Sequence, residues 1–205
     1  MLNRNICLAA IAALMSVCLL SPLSFAQGEK AVSIKLPAAD QSGGKPLMAA
    51  LKDRKSDRDF GMQALTDQQL ADILWAAVGI SRPEGTLRTA PTAKNKQDVE
   101  LYAITAKGVF QYNALEHTLE TIALPETDQT GLLGAPLALI YVTPADNRFG
   151  PLNVGFCAQN VYLYAASAGL NTVVKGTFPE KELRDILKIG PDKTIVLVQP
   201  VGPRP

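Results

Sequence analysis

Residues 154–168 form the longest helical pattern of the chain, and this pattern is apolar on nearly all sides. Gly169 follows it, as glycine commonly does after the last turn of a helix. A helix that is apolar all round must be covered by other elements. The segment therefore predicts a central buried helix, either within the domain or also at a subunit interface.

Strand-length segments and shorter helical patterns surround this helix in the sequence. Residues 136–142 are apolar without interruption, which is typical of a central strand covered on both faces. Thr66 and Gln69 form a capping box, which predicts a helix that ends at Gly79. The other predicted strands are 99–105, 109–112, 172–174 and 194–201, and the other predicted helices begin at Pro46 and span 180–187.

The order of these elements predicts one domain of the α+β (mixed α/β) class over residues 46–205. An extended arm, residues 27–45, is predicted to precede the domain because it is polar and contains proline and glycine. We interpret residues 81–96 as a long polar loop and residues 115–122 as a short helical or irregular segment.

The first 26 residues predict a secretory signal peptide rather than part of the fold. Arg4 precedes an apolar run of residues 6–20, and small residues, Ser24 and Ala26, occupy the positions required for cleavage after Ala26. The run is too short for a good membrane span. We therefore expect a periplasmic or secreted protein with no stable membrane insertion after cleavage.

Composition excludes several classes of function. Removal of Arg4 leaves 19 cations and 19 anions, so a nucleic-acid protein or polybasic membrane binder is not expected. Cys157 is the one cysteine left after cleavage, and its apolar helical setting predicts a buried thiol. His117 is the single histidine, so the common zinc sites and catalytic triads lack residues. We predict no metal ligands and assign no catalytic acid or base.

Two short segments together predict a ligand with a phosphate at one end and a polar planar ring at the other. Residues 54–60 read Arg-Lys-Ser-Asp-Arg-Asp-Phe and cluster three cations with a hydroxyl. Residues 91–97 read Pro-Thr-Ala-Lys-Asn-Lys-Gln and combine a proline, a threonine and an amide in a loop. Flavin mononucleotide (FMN) has such a structure. Taken alone, the first segment fits a solvated, self-paired surface better than a ligand site, and Asn95 fits a simple turn better.

In the order of these pieces, the chain resembles the nitroreductase family of FMN-dependent oxidoreductases over residues 46–201. Segment 54–60 resembles the family's Arg-x-Ser-x-Arg-x-Phe signature, and segment 91–97 its Pro-Ser-x-x-Asn-x-Gln loop. Residues 158–170 resemble the end of its central helix, and residues 174–178 the loop beside the flavin ring. The Arg-Thr-Ala-Pro sequence at 88–91 and the hairpin from Tyr112 to His117 favour its SagB-like branch.

This resemblance implies a nitroreductase-like fold with a central, mostly antiparallel sheet flanked by helices. It also implies a homodimer with FMN at the subunit interface and hydride transfer at flavin N5. Arginine suits phosphate geometry, and an amide offers the flavin edge both a donor and an acceptor. The cofactor-binding residues implied are Arg54, Lys55, Ser56, Arg58, Pro91, Thr92, Asn95, Lys175, Gly176 and Arg204.

Several roles follow within that set. Arg54 and Arg58 are expected at the phosphate and ribityl chain, and Arg204 at the phosphate. The backbone N–H near Gly176 is expected at flavin N5. Lys175 stands where a smaller or acidic residue is common, so it either stabilises an anionic reduced flavin or extends into water.

We therefore expect an exported flavoprotein that transfers hydride or two electrons to a small organic acceptor. NAD(P)H is a cytoplasmic reductant, so a quinol or a small redox protein is an alternative electron donor. The competing interpretations are a non-catalytic flavin- or ligand-binding dimer with the same fold and a structural envelope protein.

Overall fold

The computed structural model of the protein describes residues 32–124 and 133–205. The predicted signal peptide, residues 1–26, and the first residues of the predicted arm, 27–31, lie outside the described residues. Within the described ranges, no helix is both long enough and apolar enough to cross a membrane.

Four α-helices and nine strands make up the described part of the chain. The helices are α1 Leu47–Asp53, α2 Asp67–Val78, α3 Gly150–Ala168 and α4 Glu180–Leu187. The strands are β1 Ser33–Lys35, β2 Ile80–Arg82, β3 Leu87–Arg88, β4 Glu100–Thr105, β5 Gly108–Asn113, β6 Thr118–Ala123, β7 Leu137–Pro144, β8 Leu170–Thr172 and β9 Lys193–Pro203.

Seven strands form one sheet in the order β1-β6-β5-β4-β7-β9-β8, and every neighbouring pair is antiparallel. Strand β7 lies inside the sheet between β4 and β9, and its residues 137–143 are all buried, as the apolar run predicts. Helices α2 and α3 pack on one face of the sheet and α4 on the other, because alternate residues of each strand face opposite sides. The predicted α+β class is confirmed.

Local signals explain where the helices begin and end. Thr66 Oγ1 accepts a hydrogen bond from the backbone N–H of Gln69, and the Gln69 side chain accepts one from the backbone N–H of Thr66. This capping box starts α2, which ends at Gly79 as predicted. Gly169 ends α3 with a φ of 74°, a left-handed conformation that favours glycine.

The prediction of a wholly buried central helix is only partly correct. One side of α3 packs against the sheet and α2 through Val154, Cys157 and Val161. The other side leaves Leu152 56% and Phe156 40% exposed. An apolar surface of this kind is left uncovered by the rest of the described chain.

Two other segments differ from their predicted structure. Residues 115–122 were expected to be helical or irregular, but residues 118–122 belong to β6, which pairs with both β5 and β1. Residues 81–96 are not a continuous loop, since β2 and β3 pair as a small antiparallel sheet within them.

The N-terminal arm is held against the domain over its described length. Strand β1 pairs with β6. Beyond β1, the carbonyl oxygen of Pro37 lies 2.8 Å from Nε2 of His117. The backbone N–H of Asp40 donates to Asp72 at 2.8 Å. The backbone N–H of Lys45 donates to Ser167 Oγ at 2.6 Å. The arm thus passes over α2 and α3 and leads into α1.

Candidate functional site

The cationic segment that follows α1 is fixed to the C-terminal strands. Arg54 ends the helix because its ψ of 125° is extended, and the chain then runs beside β8 and β9. The backbone N–H of Asp57 donates to the carbonyl of Thr172 at 2.9 Å, and that of Gly61 donates to Pro203 at 2.9 Å. Residues 54–60 are therefore placed by backbone contacts, which leaves several side chains exposed.

Tyr162 of α3 connects this segment to the loop after β8. Its hydroxyl oxygen accepts a hydrogen bond from the backbone N–H of Val174 at 2.8 Å and lies 2.8 Å from Ser56 Oγ. Because the hydroxyl accepts from Val174, its own proton is free to donate to Ser56. The Arg54 guanidinium carbon lies 5.3 Å from the centre of the Tyr162 ring, a cation–π distance. Tyr162 thus orients two of the predicted site residues.

Sequence reasoning did not single out Tyr162. The signal available was a tyrosine in a largely apolar helix, since a partly buried aromatic ring with a hydroxyl usually has a polar partner. That partner belongs to segments more than ten residues away in the sequence, so it was not apparent from the helix itself.

Arg204 joins the same site from the other end of the chain. Lys55, Tyr162 and Arg204 line one small cleft with the ends of α3 and β8. A hydrogen bond from Lys45, and to a smaller extent the positive charges of Lys45, Lys52 and Arg204, hold the pKa of Asp53 below its usual value. The structure therefore brings the predicted C-terminal cation to the N-terminal cationic segment.

Charge pairing within the segment is limited to one ion pair. Lys55 Nζ lies 2.7 Å from Asp57 Oδ2, and this hydrogen bond is the largest cause of a lowered Asp57 pKa. Among the described residues, Arg54, Arg58 and Arg204 have no carboxylate oxygen within 4.0 Å. A self-paired surface therefore accounts for Lys55 and Asp57 but not for the three arginines.

The loop of residues 91–97 is built at the opposite end of α3. Thr92 Oγ1 accepts a hydrogen bond from the backbone N–H of Gln97 at 2.8 Å, and the Thr92 carbonyl accepts from Asn95 at 2.9 Å. Asn153 of α3 anchors the loop, since its Oδ1 accepts from the backbone N–H of Ala93 at 3.0 Å. Asn95 is exposed and left-handed at φ 52°, so its side chain is presented to solvent beside the exposed Pro91.

The loop and the cationic segment are not adjacent within one protomer. Asn153 holds the loop and Tyr162 holds the segment, and these two residues are nine positions apart on α3. At 1.5 Å per residue the two anchor points are about 14 Å apart along the helix axis. The structure therefore brings together Arg54, Lys55, Ser56 and Arg204 but not Pro91, Thr92 and Asn95.

The loop after β8 carries the remaining two predicted residues. Lys175 exchanges both backbone hydrogen bonds with Val198, and its ammonium donates to the carbonyl of Leu133 at 3.2 Å. This side chain therefore contacts the protein rather than extending into water. Gly176 is exposed, has no positive φ, and has no atom within 4 Å of the position of an added Cβ. Neither the backbone conformation nor packing within the described protomer requires glycine there.

Comparison with known proteins identifies the family. The profile described as the nitroreductase family matches residues 51–203. The chain belongs to the nitroreductase family. A candidate nitroreductase of Methanocaldococcus jannaschii is 31% identical over 196 residues, which cover 83% of this chain and 96% of that protein.

Solved structures agree with this assignment. The crystal structure of a candidate nitroreductase from Ralstonia eutropha has a TM-score of 0.76 and 32% identity, covering 84% of this chain and 90% of that one. An FMN-dependent nitroreductase from Clostridium difficile has a TM-score of 0.54 at 15% identity, covering 78% and 90%, and shows the fold alone. The predicted nitroreductase-like fold is confirmed, and family membership supports an oxidoreductase.

In this nitroreductase-family protein, the side chains of Cys157 and His117 are engaged in contacts within the fold. Burial raises the pKa of the Cys157 thiol to about 12, so the predicted buried thiol is confirmed. His117 Nδ1 lies 2.7 Å from the hydroxyl of Tyr112, and its Nε2 contacts the arm at Pro37. Within residues 32–124 and 133–205, no group of three or more His, Cys, Asp or Glu residues is placed to hold a metal ion.

Proposed function

We propose that this nitroreductase-family protein is an FMN-dependent oxidoreductase that passes two electrons to a small organic acceptor. The observation that carries the proposal is the site around Tyr162, where Arg54 and Arg204, which have no carboxylate partner among the described residues, lie close to an oriented serine. Such a site suits a phosphate, because guanidinium groups bind phosphate oxygens through charge-assisted hydrogen bonds. FMN, when bound, supplies the redox chemistry, and the protein supplies binding, orientation and electrostatics.

The residues present fit the phosphate and ribityl end of FMN. Arg54, Arg58 and Arg204 would hold the phosphate, and Ser56, oriented by Tyr162, would contact the phosphate or the ribityl chain. Lys55 is less available since it is paired with Asp57, and contact of its ammonium with the flavin would require that pair to open.

Two exposed segments suit the ring end. The Asn95 side chain presents both a donor and an acceptor to solvent, with only a 3.3 Å contact from Gln97 Nε2 to its Oδ1. Gly176 leaves room for a planar group to approach the backbone closely. Lys175, next to it, would add positive charge near a reduced flavin if its ammonium left the Leu133 carbonyl.

We propose a homodimer as the complete unit. The exposed apolar side of α3 supports this arrangement, and α1 extends it through Leu47, Met48 and Leu51, which are 62%, 75% and 44% exposed. Large exposed apolar patches mark interaction surfaces.

The proposed location is outside the cytoplasm, on the basis of residues 1–26. An exported oxidoreductase lacks the cytoplasmic NAD(P)H pool, so we propose a quinol or a small redox protein as the electron donor. The SagB-like branch is proposed on the residues quoted for it at 88–91 and at Tyr112 and His117.

The test begins with the absorption spectrum of the protein purified from its native compartment. We expect bound flavin in the wild-type protein and a loss of FMN affinity of about tenfold in each of Arg54→Ala and Arg58→Ala, because one charge-assisted contact contributes about 1.5 kcal/mol or more. Lys52→Ala, a neighbouring exposed cation on α1, is the matched control and should retain the wild-type affinity.

Anaerobic titration separates the catalytic proposal from flavin binding alone. Reduction of the bound flavin by a quinol, followed by reoxidation with a nitroaromatic acceptor, would support the oxidoreductase. A flavin that binds but is reduced only by dithionite would favour the non-catalytic flavin-binding dimer. Full FMN affinity in both arginine variants would overturn the phosphate assignment.

A further inference from the structure

A second cationic group lies away from the proposed flavin site, at Arg88 of β3. Its side chain is partly buried, and its Nη1 donates to the carbonyl of Val99 at 3.1 Å. The Nε atom is buried and has no hydrogen-bond partner among the described residues. Buried N–H groups are nearly always paired, so this one calls for an explanation.

The charge of Arg88 is also not neutralised by the described residues. No carboxylate oxygen of residues 32–124 or 133–205 lies within 4.0 Å of its guanidinium. The negative charge of Asp98 does act on Arg88 from a longer distance, but the Asp98 oxygens already accept hydrogen bonds from Asn147 and Asn153. Tyr112 and Cys157, which also lie near Arg88, are neutral because burial raises their pKa values.

Burial accordingly lowers the pKa of Arg88 from its usual value. A partly desolvated cation without an anion is unfavourable, and its replacement by an apolar side chain is often neutral or stabilising. Binding of an anion from solution beside this cation would therefore stabilise the folded protein.

The structure provides space for that anion beside Arg88. A cavity of about 240 Å³ opens where β4 and β5 diverge, since their pairing stops at Tyr102 and Gln111 although both strands continue. Its wall is apolar at Val78, Leu101, Ala114 and Leu115, and polar at Gln97 and Tyr112. The cavity therefore combines one unpaired cation with a short apolar surface.

Two acidic residues line the same cavity, and both are already engaged. Glu100 is paired with Lys193 at 2.8 Å and accepts the hydroxyl proton of Tyr102 at 2.7 Å. Glu120 accepts a hydrogen bond from Asn113 at 2.8 Å. Strand alternation places these carboxylates on the face of α4, opposite to the face of Tyr112, so they approach the cavity from the other side of the sheet.

We propose that this cavity binds a small aliphatic monocarboxylate, with its carboxylate on Arg88 and its short chain against the apolar wall. The site does not depend on the proposed flavin function. It is nevertheless connected to the loop of residues 91–97, because Gln97 lines the cavity and its Nε2 donates to the Asn95 side chain at 3.3 Å.

The test measures binding of sodium butyrate to the full protein as purified, by calorimetry and by the shift in melting temperature. Sodium chloride at equal ionic strength and butyramide, a neutral molecule of the same shape, are the reference ligands. We expect butyrate to bind and to raise the melting temperature, and butyramide to bind at least tenfold more weakly. Loss of a hydrogen-bonded charge contact has an effect of this size.

Two variants assign the binding to Arg88. Arg88→Met should lower butyrate affinity at least tenfold, and its melting temperature without ligand should equal or exceed that of the wild type. Arg82→Met, which removes an exposed arginine of the adjacent strand β2, should change neither. Arg88→Lys keeps the charge without the planar fork and should bind with intermediate affinity, which also covers a failure of Arg88→Met to fold.

The outcomes that would overturn the proposal are specific. Butyrate and butyramide binding the wild type equally would remove the role of charge, and equal butyrate affinity in the wild type and Arg88→Met would remove the role of Arg88. An absence of butyrate binding to the wild type would reject the site. None of these results depends on whether flavin is bound.

Discussion

Tyr162 connects the separate parts of the proposed phosphate site. Its hydroxyl joins Ser56 to the backbone at Val174, and its ring lies under the Arg54 guanidinium. These three contacts come from two separate segments of the chain, residues 54–60 and the loop after β8. Removing one oxygen atom should therefore disturb the site without changing the fold.

We expect Tyr162→Phe to lower the free energy of unfolding by about 1–2 kcal/mol, because two hydrogen bonds of ordinary strength are lost. FMN affinity should also fall severalfold, since Ser56 loses its orienting partner. Chemical denaturation and flavin titration measure the two effects.

Tyr164→Phe is the matched control for this change. Tyr164 lies on the same helix and donates to Asp72 at 3.1 Å, away from the cationic segment. It should lower stability by a similar amount and leave FMN affinity unchanged. An equal loss of FMN affinity in both variants would show that Tyr162 acts through general stability.

For single residues, the sequence predicted which side chains belong to the site better than it predicted the atoms that those side chains contact. Arg54, Ser56 and Arg204 were identified as members of one site, and the structure brings them together. The contact of Lys175 with the Leu133 carbonyl was not predicted, because it depends on where β7 begins relative to a loop more than 40 residues later. Such pairings are set by tertiary packing.

In the loop after β8, contacts within one protomer do not explain why residue 176 is a glycine. Gly176 has neither a positive φ nor a close neighbour, so Gly176→Ala should leave the stability of the flavin-free protein within about 0.5 kcal/mol of wild type. If the flavin approaches this backbone, the added methyl group should reduce FMN affinity. Unchanged affinity would place the ring elsewhere.

A contrasting glycine provides the control for that loop. Gly169→Ala forces a residue with Cβ into the left-handed conformation at the end of α3 and should reduce stability by about 1 kcal/mol. The two substitutions thus separate a conformational role of glycine from a role in ligand approach.

At the scale of elements, predictions failed where one pattern fitted two structures. Residues 115–122 were interpreted as helical or irregular, and Leu115, Leu119 and Ile122 do have helical spacing. Pairing with β5 and β1 instead makes 118–123 a strand, and sequence spacing alone contains no information on those partners. The capping box of α2 was correct because its hydrogen bonds are local.

The whole molecule has an apolar surface on α1 and α3 that the described protomer does not cover. If this surface forms the proposed homodimer, Phe156→Asp should convert the dimer to a monomer, because a charge at a buried interface is strongly unfavourable. Light scattering after size exclusion measures the mass, and FMN affinity should decrease in parallel.

Met62→Asp is the control for a charge placed on exposed apolar surface. Met62 is 58% exposed and lies outside α1 and α3, so the variant should keep the wild-type mass. A monomeric wild type at micromolar concentration, or a dimeric Phe156→Asp variant with normal flavin content, would contradict the proposed interface.

The fold class was predictable at this scale, but the geometry of the site was not. Alternation of helices and strands identified an α+β domain, and the apolar run at 136–142 identified the central strand. The separation of about 14 Å between the loop at Asn95 and the segment at Ser56 depends on where each segment contacts α3. No local pattern contains that information.

The position of β9 has a consequence for how the chain is made. Strand β9 is synthesised after the other strands of the sheet, yet it lies between β7 and β8 and hydrogen-bonds to both. A nascent chain that ends before Lys193 leaves β7 without one neighbour and β8 without any strand to pair with. The sheet is therefore completed only after β9 emerges from the ribosome, so β7 and β8 must wait for the last strand before their native pairing is complete.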